Sequence, residues 1–339
     1  MKKRQVSFLI GILFLMVMLL LLMVVVVAFV VLRDRIPMVG RAAVALVKVE
    51  GLITDTSEEI RLLRKYGSNP LVRAIVVRVE SPGGTVGGSQ ELYREIRKTR
   101  EKSGKPIIAS LGNVAASGGY YVACAADEIY ANPGTVTGSI GVIFQTYDLQ
   151  GLSKKIGVGV NTIKSGKFKD TGSFFREMTE EEKQIIQGTI DDTYEQFLEA
   201  VIEARRSKLA QAYLDRNAKA TTPSLAADST ASSPTAAGAK PADTDQVARE
   251  VVEAHLRSIA DGRVLSGRQA REWGLLDHLG GLQDAIDRAA KLARVRGRPV
   301  VIQERRKRTF WDLVQSRTDA VSRLARHDGV ALEYRLCFD

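Results

Sequence analysis

Short apolar runs alternate with charged, periodic segments through the first half of the chain. Ala43–Ile53 and Ala74–Glu80 are rich in β-branched residues, which is typical of buried strands. Gly88–Gly104 has apolar residues at helical spacing among charges, and it predicts an amphipathic helix. Pro106–Gly112 predicts a third strand, followed by a glycine-containing turn and a helix that begins near Ser117. This alternation predicts an α/β fold with a largely parallel sheet.

The pattern is less regular further along the chain. Ser139–Phe144 and Val158–Ile163 predict two more strands, with a short helix over Leu149–Gly157 between them. Glu180–Lys208 predicts a long helix, for which Thr179 is a suitable N-cap. The remaining predicted elements are helices over Val247–Ala260 and within Gly262–Ala290 and a strand over Val301–Glu304.

The N-terminal segment Val6–Leu32 contains no charged residue. At about 1.5 Å per residue, a helix of this length can cross a hydrocarbon layer of roughly 30 Å. Basic residues within 1–5 place the N-terminus in the cytoplasm and the rest of the chain outside. A cleaved signal peptide is the alternative, but it would have a shorter apolar core and a small-residue cleavage site. The sequence therefore predicts a single-pass anchor over 6–32, followed by a linker over 33–42.

Composition divides the remainder of the chain. Residues 210–246 are rich in Ala, Ser, Thr and Pro and bury too little surface to offset chain entropy, which predicts a mobile insertion. The insertion interrupts a folded domain over 43–303, and a basic tail follows over 304–339. The net charge is +10, but no basic patch interleaved with aromatics is present, so no nucleic-acid partner is expected. Two cysteines give no disulfide framework.

Two glycine-containing turns follow predicted strands and carry candidate chemistry. Hydrolysis by a serine needs an exposed hydroxyl, a base, and donors for the oxyanion. Gly83 and Gly84 can turn their backbone N–H groups toward a bound carbonyl because no Cβ obstructs the approach. Ser117 stands near a helix N-terminus, where the N–H of Gly118 is a second donor. Close strand-to-helix packing alone would also explain either glycine turn, but two turns in consecutive units favour a site.

The base is less clear from the residues alone. The three histidines, His255, His278 and His327, lie among charged helical residues, where a surface histidine is the ordinary outcome. Lysine is the alternative, because burial can lower its pKa from about 10.4 to about 7 at a cost of roughly 4.6 kcal/mol. Lys164, Lys167 and Lys169 lie together in a loop with glycines and phenylalanines that could bury one amine. Spacing does not distinguish between them.

Four segments together resemble the SppA-type signal peptide peptidases, which are membrane-bound serine proteases of the ClpP/crotonase superfamily. They are Val79–Ile96, Asn113–Ile143, Ile163–Asp170 and Ala260–Gly281, in the family's order and spacing. The resemblance runs from about Ala43 to Val301 apart from the insertion. It implies the superfamily's repeated ββα core and a serine endopeptidase with a Ser–Lys dyad.

The resemblance also implies roles for individual residues. Ser117 matches the family's nucleophile and Lys169 its general base. Gly84 and Gly118 match the oxyanion-hole donors, and Ser139 matches a serine that orients the lysine. Glu80 departs from the family, which usually has Asn or Asp there; the change affects hydrogen bonds near the turn but leaves the backbone donors in place. The long insertion is the second departure.

The family further implies partners and a location. Its short members form homo-oligomeric rings in which serine and lysine come from adjacent subunits, and they degrade signal peptides left in the membrane. We therefore expect an inner-membrane protein of a bacterium with an extracytoplasmic catalytic domain, lipid contacts through 6–32, and no metal or organic cofactor. Two alternatives are a stomatin-clipping protease, which would carry further membrane spans after Leu32, and a non-catalytic or acyl-thioester-binding scaffold.

Overall fold

The computed structural model describes residues 13–27, 42–220, 241–304 and 333–335. The chain divides into two compact units, residues 1–42 and 43–339. In the first unit, residues 13–27 form a helix (α1) whose large apolar side chains are all exposed. Within the ranges described, no helix is both long and apolar enough to cross a membrane. The rest of the predicted anchor, 6–12 and 28–32, lies outside the described residues, so the anchor stays a prediction.

The second unit is built on a mixed but mainly parallel sheet, which confirms the predicted α/β class. Its main path has the strand order β7-β6-β4-β2-β1-β9, with β5 paired to β4 and β8 paired to β5. The strands are β1 (Ala43–Glu50), β2 (Val72–Ser81), β3 (Gly83–Thr85), β4 (Ile107–Ala116), β5 (Glu128–Ala131), β6 (Val136–Gly138), β7 (Val264–Ser266), β8 (His278–Leu279) and β9 (Val300–Ile302).

Helices cover both faces of this sheet. They are α2 (Ser57–Ser68), α3 (Val86–Ser103), α4 (Gly118–Ala123), α5 (Gln150–Lys155), α6 (Glu180–Ala220), α7 (Pro241–Arg257), α8 (Gly267–Glu272) and α9 (Leu282–Leu292). The sheet separates two hydrophobic clusters, and alternate residues of β1 belong to different ones. Ala45 and Val47 belong to the larger cluster, whereas Val44 and Leu46 belong to the smaller cluster with residues of α9. Burial on both faces explains why the central strands are nearly continuous apolar runs rather than alternating ones.

Two predicted strands are wrong. The chain turns at Gly138 and Ser139, both with positive φ, and Ser139–Phe144 contributes only an isolated bridge residue. Val158–Ile163 is irregular backbone, and its apolar side chains are exposed, with Ile163 fully so. Both runs have strand-like composition, but neither joins a sheet in the described part of this chain.

Both ends of the predicted insertion, 210–220 and 241–246, are helical in the structure. Helix α6 continues to Ala220, and Leu209 and Ala212 are buried in it, so this stretch packs rather than forming a loop. Alanine, leucine, glutamine and arginine are good helix formers, which favours the extension. Helix α7 begins at Pro241, and residues 221–240 lie outside the described residues.

A short C-terminal strand lies within the predicted basic tail. Glu333–Arg335 (β10) pairs antiparallel with β3, with Glu333 opposite Thr85, Tyr334 opposite Gly84 and Arg335 opposite Gly83. The pairing places an extended piece of the chain along the edge of the strand that carries the predicted oxyanion glycine. The rest of the tail beyond Glu304 lies outside the described residues.

Candidate active site

Ser117 links the end of β4 to the start of α4. Its backbone has φ 52° and ψ −119°, a left-handed conformation that is costly for any residue with a Cβ. Its N–H donates to the carbonyl of Gly138 at 2.8 Å, and its own carbonyl accepts the first helical bond, from Tyr121, at 2.9 Å. The side chain is 1% exposed, and its Oγ has no hydrogen-bond partner within the described residues. A strained turn of this kind holds a hydroxyl in a fixed position without committing it to another group.

The glycine turn of β3 packs against the same helix. Ile53 fixes it from one side: its N–H donates to Gly83 O at 2.9 Å, and its carbonyl accepts from Thr85 N at 2.8 Å. A Cβ on Gly84 would lie 2.1 Å from Ile53 O, so only glycine fits there. A Cβ on Gly119 would lie 2.8 Å from the carbonyl of Ser81, which shows how closely the two turns approach. The structure therefore brings the Gly83–Gly84 turn next to the Ser117–Gly118 turn.

Ser139 lies one strand away from Ser117, directly after the residue that accepts the Ser117 N–H. It also has a positive φ, 51°, and its N–H donates to Arg263 O at 2.8 Å. Its side chain is buried, and it lines a cavity of about 540 Å³ with Ile140, Tyr194 and Asp261. Ser117 and Ser139, both with positive φ, thus lie at the carboxyl ends of the neighbouring strands β4 and β6.

The three candidate lysines differ in their partners. Lys164 forms an ion pair with Asp170 and donates to Lys167 O at 2.9 Å. Lys167 pairs with Glu181 and lies 5.0 Å over the ring of Phe168. Lys169 is exposed, and no side-chain partner of its amine occurs among the residues described. A carboxylate stabilises the charged ammonium, which cannot accept a proton. Lys169 is therefore the lysine of this loop whose amine is not already committed to a carboxylate.

Arg176 fixes the loop that carries these lysines. Its guanidinium donates to both carboxylate oxygens of Asp170, at 3.0 and 2.9 Å, and to Glu182, at 2.8 Å. The hydrogen bond from Arg176 lowers the pKa of Asp170 well below its usual range and that of Glu182 to about 2. Glu182 also accepts from the N–H of Thr179 at 2.9 Å, which completes the predicted N-terminal cap of α6. The sequence analysis did not single out Arg176. Its position six residues after Asp170 was the available signal.

The remaining candidate reactive side chains of the described residues are buried or packed against other groups. Burial raises the pKa of the Cys124 thiol to about 12, so it stays protonated and is no rival nucleophile. Tyr120 is fully buried and donates to Leu275 O at 2.9 Å. His255 is packed between Tyr213 and Trp273. His278 lies 3.5 Å from Glu128, and His327 lies outside the described residues.

Within one chain, the structure assembles part of the predicted site. Ser117, Gly118, Gly84 and Ser139 lie on adjoining turns at one edge of the sheet. Lys169 does not complete it, because the Ser117 hydroxyl has no hydrogen-bond partner among the residues described. A buried serine hydroxyl and the backbone N–H groups of two glycine turns at one sheet edge are components of an acyl-transfer site.

Comparison with known proteins agrees with this chemistry. Residues 99–229 and 244–296 match the model of Peptidase family S49. A putative protease of Synechocystis sp. is 37% identical over 254 residues, covering 75% of each chain. A putative protease of Methanocaldococcus jannaschii is 32% identical, covering 73% of this chain and 65% of that one. The putative signal peptide peptidase SppA of Enterococcus faecium is 31% identical, covering 72% of this chain and 62% of that one.

Proposed function

Since this chain belongs to peptidase family S49 and is a serine peptidase, we propose that Ser117 is its nucleophile and Lys169 its general base. The observation that carries the proposal is the Ser117 hydroxyl, buried at a strained strand-to-helix turn with no hydrogen-bond partner within the described residues. Buried polar atoms are nearly always paired, so an unpaired one at such a turn favours a functional group. Of the three loop lysines, Lys169 is the one whose amine meets no carboxylate among the residues described.

The proposed reaction has two halves. Neutral Lys169 takes the proton of Ser117 as Oγ attacks the scissile carbonyl carbon, and the N–H groups of Gly84 and Gly118 stabilise the oxyanion. The lysine then protonates the departing amine, and water hydrolyses the acyl-enzyme with the lysine again as base. Ser139, one strand from the nucleophile, orients the amine. The turns sit in a fold that we assign to the ClpP/crotonase-like class.

We propose that the dyad forms between two copies of the chain. Lys169 and Ser117 make no hydrogen bond within one copy. Close to Lys169, the strand-like run Val158–Ile163 exposes Val158, Val160 and Ile163 at 50%, 48% and 102%. Contiguous exposed apolar residues mark contact surfaces, and a second copy would cover these. Covering the loop would also remove water from the lysine, which favours its neutral form.

The proposed substrate is an extended apolar peptide, and signal peptides released after precursor cleavage are the leading class. Strand β10 supports this mode, because it pairs antiparallel with β3 directly at Gly84. A substrate that adds a strand to the same edge would present its carbonyl to the oxyanion donors. Anchoring through residues 6–32, with the catalytic unit outside the bacterial inner membrane, would place the enzyme beside such peptides.

A mixing experiment tests the nucleophile, the base and the shared site together. The purified full chain in detergent should react with a fluorophosphonate probe and cleave an apolar fluorogenic peptide, and Ser117→Ala and Lys169→Ala should each abolish cleavage. Lys167→Ala is the matched control, because Lys167 is already paired with Glu181. Reassembling the two inactive variants together should restore part of the activity if serine and lysine come from different copies.

The outcomes separate the parts of the proposal. A Ser117→Ala variant that still cleaves and is still labelled would overturn the nucleophile. A Lys169→Ala variant with full turnover would move the base to Lys164 or Lys167. No recovery on mixing, with both single variants inactive and oligomeric, would place the dyad within one chain.

A further inference from the structure

The register between β2 and β4 breaks just before both strands reach the candidate site. Val79 pairs with Leu111, but the next pair is Ser81 with Ala115. Residues 112–114 of β4 therefore lie opposite the single residue Glu80. Backbone N–H groups in such a bulge have no ladder partner and must be satisfied in another way.

The Glu80 side chain satisfies them. Its carboxylate accepts from Asn113 N at 2.8 and 3.0 Å and from Val114 N at 3.2 Å. Gly112 makes room for it, since a Cβ there would lie 1.7 Å from Glu80 Oε2. Arg78 supports the same strand by donating to Ser110 Oγ at 3.0 Å and Leu111 O at 3.1 Å. A charged acceptor binding two consecutive backbone N–H groups is among the stronger hydrogen-bond arrangements.

This bulge lies between the two halves of the candidate site. On the β2 side, Glu80 directly precedes Ser81, whose Oγ accepts from Gly83 N at 3.1 Å. On the β4 side, the bulge ends at Ala115, after which Ala116 pairs with Gly138 and Ser117 begins the strained turn. Any slip of residues 112–114 against β2 would move the Ser117 hydroxyl relative to the glycine donors.

We propose that Glu80 is a positioning residue that sets the register of the nucleophile segment, residues 113–117, against the Gly83–Gly84 turn. It acts through the backbone of Asn113 and Val114 and does not itself touch the reacting atoms. The inference rests on the proposed role of Ser117, and it makes Glu80 and Gly112 an interdependent pair. The carboxylate is the main obstacle to a Cβ at position 112, with Arg78 Nη2 next at 3.1 Å.

A double-mutant cycle on the full chain tests this. Glu80→Ala should slow fluorophosphonate labelling of Ser117 and lower kcat about tenfold to a hundredfold, with KM changed less than about threefold, because a misplacement of about 1 Å costs on that order. Gly112→Ala should produce a similar loss, since its Cβ displaces the carboxylate. In the Glu80→Ala background, Gly112→Ala should cost little more, because the severe contact is gone and the remaining one, 3.1 Å to Arg78 Nη2, involves the end of a flexible side chain.

Three further variants complete the test. Glu80→Gln keeps a carbonyl oxygen where Oε1 accepts both N–H groups, and it should retain most of the labelling rate. Glu80→Asp draws the carboxylate back by one methylene and should show an intermediate loss, which gives a second measurement should Glu80→Ala fold poorly. Glu128→Ala is the matched control. It removes a different strand carboxylate, which pairs with Arg288 at the opposite end of β4, and it should leave kcat unchanged.

The failure of this inference differs from the failure of the proposed function. Wild-type chain that labels and cleaves, together with a Glu80→Ala variant that labels as fast, overturns the positioning role and leaves Ser117 intact. Additive losses in the Glu80–Gly112 cycle also overturn it. Wild-type chain that is not labelled at Ser117 removes the function on which the inference rests.

Discussion

Arg176 holds the carboxylate of Asp170, the residue next to Lys169, with two hydrogen bonds of 2.9 and 3.0 Å. The same guanidinium reaches Glu182 in the first turn of α6. Arg176 therefore ties the loop that carries the proposed base to the start of α6, alongside the ion pair between Lys167 and Glu181. Since the Lys169 side chain itself is exposed, its position depends on the contacts that its neighbours make.

Replacing Arg176 should impair catalysis by loosening that loop. Arg176→Gln removes the guanidinium that donates to both Asp170 and Glu182. We therefore expect kcat to fall about tenfold to a hundredfold. Lys183→Gln is the control, because it removes an exposed ion pair with Glu180 on the same helix turn. Steady-state kinetics on both variants check the prediction. Equal kcat values in the two would show that the loop does not depend on Arg176.

The same ion-pair network predicts a pH dependence of stability. Arg176 lowers the pKa of Glu182 to about 2 and that of Asp170 below its usual range. Because both pKa values are lower in the folded state than in the unfolded chain, their contribution is complete above about pH 5 and is lost as the pH falls. The Tm difference between wild type and Arg176→Gln should be present at pH 7 and shrink toward pH 2. A difference independent of pH would contradict the assignment.

A Cβ at position 84 should damage the proposed oxyanion hole. In Gly84→Ala it would lie 2.1 Å from Ile53 O, a backbone atom, so β3 must shift. Loss of one oxyanion donor lowers kcat by about 10²–10³-fold, and we expect a similar loss. Gly87→Ala is the matched control, since no atom lies within 4 Å of its Cβ. That variant should keep full activity. Intact kcat in Gly84→Ala would exclude this donor.

The sequence predicts the central strands and the glycine turns well because each follows from local chemistry. Ala74–Glu80 and Pro106–Gly112 are apolar on both faces, and they form the buried strands β2 and β4. Val158–Ile163 has a similar composition but stays exposed. Composition shows that a segment is suited to burial, but it does not show whether another element packs over it. The turns at Gly84 and Ser117 were predictable because steric limits at a strand end act on single residues.

Long-range polar contacts could not be predicted in the same way. Glu80 was recognisable as a departure from its relatives, but its partners, the N–H groups of Asn113 and Val114, depend on a register break that no local pattern encodes. Spacing does not distinguish Lys164, Lys167 and Lys169 either, and only the folded chain shows that Lys164 and Lys167 meet carboxylates. Such contacts arise from tertiary packing, and the sequence only supplies the charged groups.

Asp277 should be important for stability rather than for catalysis. It forms a 2.6 Å ion pair with Arg205, with side chains only 6% and 3% exposed, and accepts from Ile129 N at 2.8 Å. Burial by itself would raise the pKa of Asp277, but the hydrogen bond and charge of Arg205 outweigh it and lower the pKa. In Asp277→Ala the arginine charge stays buried without its partner, which should cost about 3–5 kcal/mol of unfolding free energy.

Urea denaturation checks that figure against a surface pair. Asp261→Ala removes a pair with Arg263 whose side chains are half exposed, and it should cost less than about 1 kcal/mol. Similar costs for the two variants would contradict the burial argument. Because the folded pKa of Asp277 is lowered, its contribution should also diminish as the pH falls below about 4.

Removing the C-terminal strand should expose the β3 edge that we propose binds the substrate. Residues Glu333–Arg335 pair with Gly83–Thr85, so an incoming peptide that uses the same edge must displace them. A chain that stops after Leu332 should therefore show a several-fold lower KM for a short apolar peptide with kcat unchanged, because the competent edge is no longer partly occupied. Adding a synthetic peptide of residues 331–337 to the shortened chain should raise KM again. An unchanged KM, or a fall in kcat alone, would show that β10 and the substrate use different surfaces.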